Sequence, residues 1–474
     1  MLRIRLSLLV VVAVCSSSVL SGADFDTHFT GDTFRLDYFH TGTAEQEHIS
    51  VHRMRIEGPW PGSRTQLLDP TGLGKYQVEV ADRNTGQVLY SRGFASIFGE
   101  WQTTGEARGG TFRTLAESVR FPEPRRPFQV RLRKRGADQA FQEIWTQVIE
   151  PGSRFVDRAP VPEQAVWTVQ DNGDPAVKVD LLILGDGYTA EERQRFHDQV
   201  KQLSRDLLAT PPFASRAGDF NIRAIDTASP HSGVSRPRAG VFRSTPLRVR
   251  YNSFDSERYV LTLEEHAWRD VAAAAPYDAV VILVNDRQYG GGGIYNLYAT
   301  TAAGSGFNSY LMIHEFGHSF AGLADEYYTS DVAYEEFTPP DVEPSEPNIT
   351  ALLSPDQLKW RDLVEPDTPL PTPWGKEEYE KASRASQQRR REMRAAGAPE
   401  EDLEALFREE RVLFTRMLGD ETYAGKVGAF EGAGYQARGL YRSAADCIMF
   451  TRDEVGFCPV CARAIERIID LHTR

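Results

Sequence analysis

The sequence predicts an α+β protein in which an N-terminal β module, of β-sandwich or jelly-roll type, precedes an α/β domain. Residues 24–150 alternate apolar and polar side chains between turn-forming residues. From residue 165 onward, continuous apolar runs alternate with amphipathic helical patterns. A segment rich in proline and charge separates the two patterns. We therefore expect one domain over 24–150 and a second over 165–474.

The chain begins with the pattern of an export signal. Arg3 and Arg5 precede the apolar run Leu6–Val14, and small residues end the segment at Ala23. A membrane anchor needs about 20 apolar residues, and this run is shorter. We expect residues 1–23 to be a cleaved signal peptide, and the mature chain to be secreted or periplasmic without membrane insertion. Cys15 could be a lipoprotein cysteine, but the residue before it is bulkier than that processing usually accepts.

Composition limits the classes of partner. The 474 residues are 41% hydrophobic and 26% charged, which is ordinary for a soluble globular protein. With 54 Lys+Arg against 67 Asp+Glu, the formal net charge is −13. Nucleic acid and anionic membrane surfaces are therefore poor partner hypotheses. The sequence gives no indication of the oligomeric state.

The β module is predicted from four alternating segments. It also contains His28, His40, His48 and His52, whose spacings match no metal-ligand pattern, so we interpret them as surface or hydrogen-bonded histidines. The segments are TFRLDYFHTG, YQVEVADRNTGQVLY, RPFQVRLRKR and QEIWTQVIE.

The second domain opens with the pattern of a sheet with crossover helices. Thr189 and Glu192 have the spacing of a capping box, which predicts a helix start directly after the first strand. The alternation predicts a largely parallel sheet. In chain order, the strands are VKVDLLILGDGYT, FNIRAIDTA and YDAVVILVND, and the helices are TAEERQRFHDQVKQLSRDLLAT and SERYVLTLEEHAWRDVAAAA.

A helical insertion is predicted near residues 376–418. Acidic and basic residues are balanced there, and apolar residues recur at helical spacing in its second part. We predict a helical hairpin that breaks near 397–399. Such a stripe most often packs against its own domain.

The segment YGGGGIYNLYATTA, residues 289–302, contains four consecutive glycines, Gly290–Gly293. Two interpretations remain open. The alternation after the glycines suits an edge strand, along which an extended substrate could pair by backbone hydrogen bonds. The other interpretation is a tight loop.

The segment HEFGHSFAGLADEYY, residues 314–328, carries the strongest chemical signal. His314 and His318 lie one helical turn apart, so both imidazoles can reach one ion. Glu315 follows the first histidine, where it can act as general base on a metal-activated water. The pattern predicts a catalytic Zn²⁺ site, which needs three protein ligands.

Asp325 is the predicted third ligand, with Glu326 as the alternative. Gly322 can end the helix as a left-handed cap and turn the chain back toward the ion. Asp325 lies three residues beyond this glycine, the offset that metzincin peptidases use in H-E-x-x-H-x-x-G-x-x-H/D. This sequence has one additional residue between His318 and the glycine.

Two C-terminal features accompany the helix motif. Met449, in DCIMFTRDE, is similar to the methionine of the Met-turn beneath the metal of metzincins; a core methionine is the plain alternative. Cys447, Cys458 and Cys461 cluster in a chain with an export signal, so we expect a disulfide from Cys447 to Cys458 or Cys461. FCPVC is also similar to a dithiol redox motif or half of a structural zinc site, but the sequence has no second C-x-x-C and no thioredoxin-like strand before it, so we prefer the disulfide.

Four tyrosines flank these motifs, and a tyrosine hydroxyl can stabilise the oxyanion of peptide hydrolysis. The spacing does not show which of them faces the cleft. They are Tyr327, Tyr328, Tyr435 and Tyr441.

The sequence resembles the immunoglobulin A peptidase family of bacterial zinc metallopeptidases. The resemblance covers most of the mature chain and implies an N-terminal β module joined to a metzincin-like α/β domain. It implies a zinc-dependent endopeptidase that acts on proteins or peptides. The alternatives are a non-catalytic cell-surface binding protein that keeps the peptidase fold, which the intact Glu315 argues against, and a zinc hydrolase of non-peptide amides. The resemblance rests on LDYFHTG, YSRGFASIFGEWQTTGEA, LLILGDGYTAEE, YGGGGIYN, HEFGHSFAGLADEYY, DCIMF and FCPVC.

Overall fold

A computed structural model describes residues 24–330, 339 and 341–474 of the chain. The predicted signal peptide, residues 1–23, lies outside the described residues. The described part is an α+β structure, as predicted, and its strands form four sheets. Within these ranges, no helix combines the length and the apolar character that crossing a membrane requires.

Two four-stranded sheets of the N-terminal region face each other across one apolar core. Phe34 and Val119 come from one sheet, and Val80 and Leu132 come from the other. Three short helices accompany them: α1 (Phe25–His28), α2 (Ile97–Trp101) and α3 (Gly105–Arg108). The strands are β1 (Phe29–Gly42), β2 (Glu47–Pro59), β3 (Tyr76–Asp82), β4 (Val88–Phe94), β5 (Arg113–Pro124), β6 (Phe128–Arg135), β7 (Phe141–Ile149) and β8 (Val156–Asp157).

The strand orders are β5-β1-β2-β8 in one sheet and β4-β3-β6-β7 in the other, the arrangement of a β-sandwich. His40 lies inside this region, with its ring nitrogens 2.9 Å from Glu117 Oε2 and 3.0 Å from Glu47 Oε2. The prediction that it is a hydrogen-bonded histidine is confirmed.

A six-stranded sheet forms the centre of the second region. Its strands are β9 (Val166–Gln170), β10 (Val179–Asp186), β11 (Phe220–Ile225), β12 (Ala279–Val284), β13 (Gly291–Ile294) and β14 (Tyr298–Ala302). Their order is β13-β14-β12-β10-β11-β9, with parallel pairing in the middle and antiparallel pairing of both edge strands. The predicted apolar strands are confirmed as β10, β11 and β12. Ile183 and Leu184 of β10 enter two different cores, because both faces of the sheet are covered.

The helices of this region are α4 (Arg193–Ala209), α5 (Glu265–Ala272) and α6 (Asn308–Ala321). The capping box of Thr189 and Glu192 is present before α4, as predicted. The second predicted helix was too long at its start, since α5 begins only at Glu265. The preceding residues are extended: Val260 N–H donates to Gly291, and Leu261 exchanges backbone hydrogen bonds with Arg250. Pairing of these β-branched and apolar residues overrides the helical pattern.

The C-terminal region consists of a small sheet and three helices. The predicted hairpin is confirmed, and its break includes Gly397, which has a left-handed φ of +69°. The elements are β15 (Ile349–Thr350), β16 (Phe430–Ala433), β17 (Gln436–Arg442), α7 (Lys376–Ala395), α8 (Glu400–Gly419) and α9 (Pro459–Thr473). Short 3₁₀ helices occur at Pro175–Val177, Ala190–Glu192, Phe213–Asp219, Pro237–Ala239, Ser253–Asp255, Pro355–Gln357 and Arg361–Leu363.

Candidate metal centre

Helix α6 brings the two motif histidines to one face. His314 and His318 stand about one turn apart, so their rings project in the same direction. Met312, Phe316 and Phe320 of the same helix belong to the large core beneath the sheet. Packing of this apolar side therefore fixes the direction in which the histidines face.

Gly322 ends the helix, as predicted. Its φ is +61°, and its N–H donates to the carbonyl of His318 at 3.0 Å. A left-handed residue at this position reverses the chain direction at low cost because glycine has no Cβ. Asp325 consequently returns to the two histidines.

Three donor atoms converge at this point. His314 Nε2 lies 3.0 Å and His318 Nε2 lies 3.2 Å from Asp325 Oδ1. The two Nε2 atoms lie 3.1 Å from each other. The structure thus brings together His314, His318 and Asp325, the three predicted ligands.

The Nδ1 atom of each histidine ring shows which charge the cluster of His314, His318 and Asp325 requires. His314 Nδ1 lies 2.9 Å from the carbonyl oxygen of Ile448, and His318 Nδ1 lies 2.6 Å from that of Leu323. A carbonyl only accepts hydrogen bonds, so both Nδ1 atoms carry protons and both Nε2 atoms can present lone pairs. When both rings are neutral, two lone pairs and a carboxylate oxygen converge, so the cluster needs a positive charge, either a proton or a metal ion. Imidazole and carboxylate are zinc ligands, so these residues fit a zinc ion.

The pKa values reflect this electrostatic situation. Burial tends to raise the pKa of Asp325, but the charge of His318 and hydrogen bonds from both histidines hold it well below its usual range. Burial tends to lower the pKa of His318, but the Asp325 carboxylate raises it to about 9. Burial raises the pKa of Glu315, and the nearby histidines oppose that rise. The site therefore attracts positive charge beside a glutamate that holds a proton more readily than an exposed one.

Glu326, the alternative third ligand, lies elsewhere. Its Oε1 accepts a hydrogen bond from Asn348 Nδ2 at 3.0 Å and lies 3.4 Å from Cys461 Sγ. Asp325 and Glu326 therefore point to different surroundings, the first to the two histidines and the second to Asn348 and Cys461.

Strand β13 lies directly against α6, and its glycines permit this approach. It is an edge strand of the six-stranded sheet, so of the two open interpretations the edge strand is confirmed. A Cβ on Gly291 would lie 3.0 Å from Glu315 Cγ. A Cβ on Gly293 would overlap the Glu315 carbonyl oxygen and lie 2.8 Å from His318 Cβ. Any side chain at these positions would push the strand off the helix.

Gly293→Ala should destabilise the protein by about 1–3 kcal/mol, because the backbone that it meets cannot move aside easily. Gly58→Ala is the matched control, since Gly58 lies in β2 and its Cβ would meet nothing within 4 Å. Its effect should stay within about 0.5 kcal/mol. Urea unfolding of both variants measures the difference. Equal stability of the two variants would contradict the proposed close packing.

His314 and His318 line a cleft of about 740 Å³. One wall is formed by β13, α6 and Tyr435. Residues of the N-terminal region, including Gly99, Thr103 and Arg135, also line the cleft. The β-sandwich therefore forms part of the cleft itself.

Two of the four motif tyrosines face the centre. Tyr435 donates its hydroxyl hydrogen to Asp325 Oδ2, and Tyr327 accepts a hydrogen bond from Arg258 Nη2 at 2.9 Å. Tyr328 instead packs against Phe450 with ring centroids 6.4 Å apart. Tyr441 lies on β17, outside the residues that line the cleft.

Sequence reasoning missed Arg258. Its guanidinium lies in the cleft, and its Cζ lies 5.2 Å from the centre of the Tyr327 ring. One helix and three strands, α5, β12, β13 and β14, lie between Arg258 and the histidine helix, so no local pattern connects it with the site. Only its tertiary position shows its place there.

Met449 lies beneath the histidine helix. Its Sδ is 3.1 Å from the point that a Cβ on Gly317 would occupy, so the small residue makes room for the thioether. The backbone carbonyl of Met449 accepts from Glu326 N–H at 2.9 Å. Together with the Ile448 carbonyl, this segment supports both the helix and the returning chain.

The expected disulfide is not formed. Cys447, Cys458 and Cys461 are all free and buried, and the Sγ atoms of Cys447 and Cys461 lie 3.9 Å apart. The sequence spacing correctly predicted that the cysteines gather in one place. It could not reveal that Glu326, from a distant segment, lies among them.

These features define an α+β protein with a candidate metal centre on a helix, in a cleft that two regions share. Residues 167–469 match the IgA Peptidase M64 family, and residues 24–146 match the Peptidase M64 N-terminus. The chain belongs to the IgA Peptidase M64 family, which confirms the resemblance seen in the sequence. The family supports a peptidase, with proteins as the implied substrates. A comparison with curated proteins finds no match.

Proposed function

We propose that the protein is a zinc-dependent endopeptidase with a metzincin-like catalytic domain. The observation that carries the proposal is the convergence of His314 Nε2, His318 Nε2 and Asp325 Oδ1 at 3.0 to 3.2 Å from one another. These three residues would hold the ion. When bound there, zinc supplies activation of a water molecule and polarisation of the scissile carbonyl.

Glu315 is the proposed general base and then general acid. Its Oε1 lies on the side of the helix that faces β13, where a Cβ on Gly291 would approach it to 3.1 Å. Burial raises its pKa, which suits a group that accepts a proton from water and then donates it to the leaving amine.

The edge of β13 is the proposed substrate-binding strand. Gly291 points its N–H and C=O away from β14, where Arg258 O and Val260 N–H bind them. Gly293 faces the same side because strand geometry repeats every two residues. Among the described residues, the backbone hydrogen bonds of this outer edge involve Gly291 and not Gly293. An extended peptide could pair with Gly293 next to Glu315. Such pairing recognises the peptide backbone and not particular side chains, so we propose no particular protein substrate.

Two further groups could stabilise charge during the reaction. The Tyr435 hydroxyl already contacts Asp325, and Arg258 holds a positive charge beside Tyr327 in the same cleft. A hydroxyl donor and a guanidinium both suit a developing oxyanion. We propose Tyr435 as the oxyanion donor and Arg258 as the residue that positions Tyr327.

The metzincin-like assignment rests on the relation of three residues. Gly322 ends the helix, Asp325 returns to the histidines, and Met449 lies beneath Gly317. We therefore interpret the segment around Met449 as a Met-turn. The additional residue between His318 and Gly322 is accommodated within the last turn of α6, since Gly322 still bonds to the His318 carbonyl.

Export remains part of the proposal. It is supported by the N-terminal pattern of Arg3, Arg5 and Leu6–Val14, followed by small residues up to Ala23. We propose a secreted or periplasmic location for the mature chain.

Removal of the metal tests the proposal. We expect the purified protein to cleave members of a proteome-derived peptide library, to lose this activity after treatment with a chelator, and to regain it with added zinc. The physical reason is that zinc takes the place of the proton that otherwise balances the charge of this cluster, so its removal should return the cluster to the protonated form. Mass spectrometry of the library measures cleavage and shows whether the bonds are internal. Activity that survives complete zinc removal would overturn the zinc mechanism. No cleavage under any metal condition would favour the non-catalytic binding protein, and hydrolysis of non-peptide amides alone would favour the other alternative.

A further inference from the structure

Apart from His314, His318 and Asp325, which we call the first centre, a second group of side chains could hold a metal ion. It consists of Glu326, Cys447, Cys458 and Cys461, which we call the thiolate cluster. One donor atom from each residue lies within 4.8 Å of every other. The exposed fraction is 0% for Glu326, Cys447 and Cys461 and 6% for Cys458. These four polar groups therefore share one closed space.

The distances match those that a tetrahedral zinc ion imposes. Zn–S bonds of about 2.3 Å separate two sulfur ligands by about 3.8 Å, and a sulfur from a carboxylate oxygen by about 3.6 Å. The observed distances are 3.9 Å between Cys447 Sγ and Cys461 Sγ, and 3.4 Å between Cys461 Sγ and Glu326 Oε1. The space between the donors is thus already of the right size.

Backbone N–H groups and the start of a helix face the sulfur atoms. Cys458 N–H points at Cys447 Sγ at 3.4 Å, and Cys461 N–H points at Cys458 Sγ at 3.5 Å. Cys458 and Cys461 also lie at the start of α9, where the helix dipole stabilises negative charge. Such N–H groups lower the cost of holding sulfur as thiolate.

The carboxylate gives an independent indication of a missing partner. Glu326 Oε1 is held by Asn348 Nδ2, but Oε2 is buried and has no hydrogen-bond partner among the described residues. A buried carboxylate oxygen without a partner is costly. A cation between this carboxylate and the sulfurs would remove that cost. A disulfide would not, because it would leave one thiol and the carboxylate unsatisfied.

We propose that Glu326, Cys447, Cys458 and Cys461 bind a structural zinc ion. Three sulfurs and one oxygen complete a tetrahedron without an open position, which distinguishes this site from the first centre. Hard cations such as calcium prefer oxygen ligands, and among the ions that thiolates favour, zinc suits a closed four-coordinate site with both sulfur and carboxylate ligands. This inference concerns a different site and does not depend on the proposed peptidase mechanism.

The position of the thiolate cluster gives it a supporting role. Glu326 directly follows Asp325, and Cys447 directly precedes Ile448, whose carbonyl binds His314 Nδ1. A zinc ion here would clamp the chain segment that carries the third ligand to the segment that orients the first. Loss of this ion should therefore weaken the first centre without removing any of its ligands.

Metal content tests the proposal. We expect about two zinc ions per chain in the wild type, about one in Cys461→Ser and about one in His318→Ala. Ser443→Ala is the matched control. Its hydroxyl lies 3.1 Å from Cys458 Sγ but is not one of the four donors, so this variant should keep about two zinc ions. Zinc is measured by mass spectrometry after exhaustive dialysis.

Cobalt substitution tests the site even if Cys461→Ser fails to fold. Cobalt bound by cysteine gives a thiolate-to-metal charge-transfer band, which the histidine and aspartate ligands of the first centre cannot give. We expect this band in the wild type and, undiminished, in His318→Ala.

Three results would overturn the thiolate cluster as a metal site. They are a wild-type protein without the charge-transfer band, a Cys461→Ser variant that folds and keeps the full metal content, and an intact mass lower by two hydrogen atoms, which indicates a disulfide. Each of these leaves the peptidase proposal standing. Loss of peptide cleavage together with an intact band would instead count against the peptidase mechanism alone.

Discussion

Replacement of Glu315 by glutamine should lower kcat/KM for peptide hydrolysis by about 10²- to 10⁴-fold, the usual contribution of a general acid or base. Glutamine has nearly the same shape but cannot accept a proton from water. Because Glu315 is not among the three converging donor atoms, the metal content should not change. The measurement combines kinetics on a cleaved peptide with zinc analysis of the same preparation.

Glu466→Gln provides the control for this experiment. Glu466 is an exposed residue of α9, so the same chemical change there should alter neither kinetics nor metal content. A Glu315→Gln enzyme with near wild-type kinetics would show that another group moves the proton. Loss of metal from this variant would place Glu315 among the ligands instead.

Asp325→Asn should lower the zinc affinity of the first centre by at least about 100-fold, the upper range for residues that only support a ligand. The neutral amide removes the negative charge that His314 and His318 face at 3.0 and 3.2 Å. Peptide hydrolysis should fall with the metal content. Zinc titration and kinetics at fixed free zinc measure the two effects.

Glu326→Gln is the adjacent control for Asp325→Asn. It makes the same chemical change one residue away, on a side chain that points to Cys461 rather than to the histidines. This variant should lose much less of the zinc that hydrolysis requires than Asp325→Asn does, because it acts on the first centre only through the thiolate cluster. Asp325→Asn should keep the thiolate-to-cobalt band. The reverse pattern would show that Glu326, and not Asp325, completes the first centre.

Much of the fold could be predicted from local patterns. Alternation identified the strands of the β-sandwich, and the apolar run of β10 identified the buried centre of the α/β sheet. The Thr189 capping box marked the start of a helix because capping depends on residues three apart. The start of α5 was predicted wrongly because residues 259–261 pair with distant strands, and tertiary pairing does not show in a local pattern.

The residues of the candidate site likewise fall into those that local sequence patterns predict and those that only the tertiary structure shows. His314, His318 and Asp325 could be selected because a helix and a glycine cap relate them within one short segment. Arg258 and the hydroxyl contact of Tyr435 could not, since they reach the cleft from other parts of the chain. The three cysteines are a third case. The sequence predicted that they lie close together, but not that the buried carboxylate of Glu326 lies among them.

Because the Ile448 carbonyl supports the first centre, the order in which the chain is synthesised determines when the centre can assemble. During synthesis, His314 and Asp325 leave the ribosome long before Ile448 and Tyr435, which orient them. A growing chain therefore possesses the ligands but not the scaffold that aligns them. On the proposed function, the centre would be complete only after the last part of the polypeptide is made, which would delay cleavage of neighbouring proteins or of the chain's own unfolded segments.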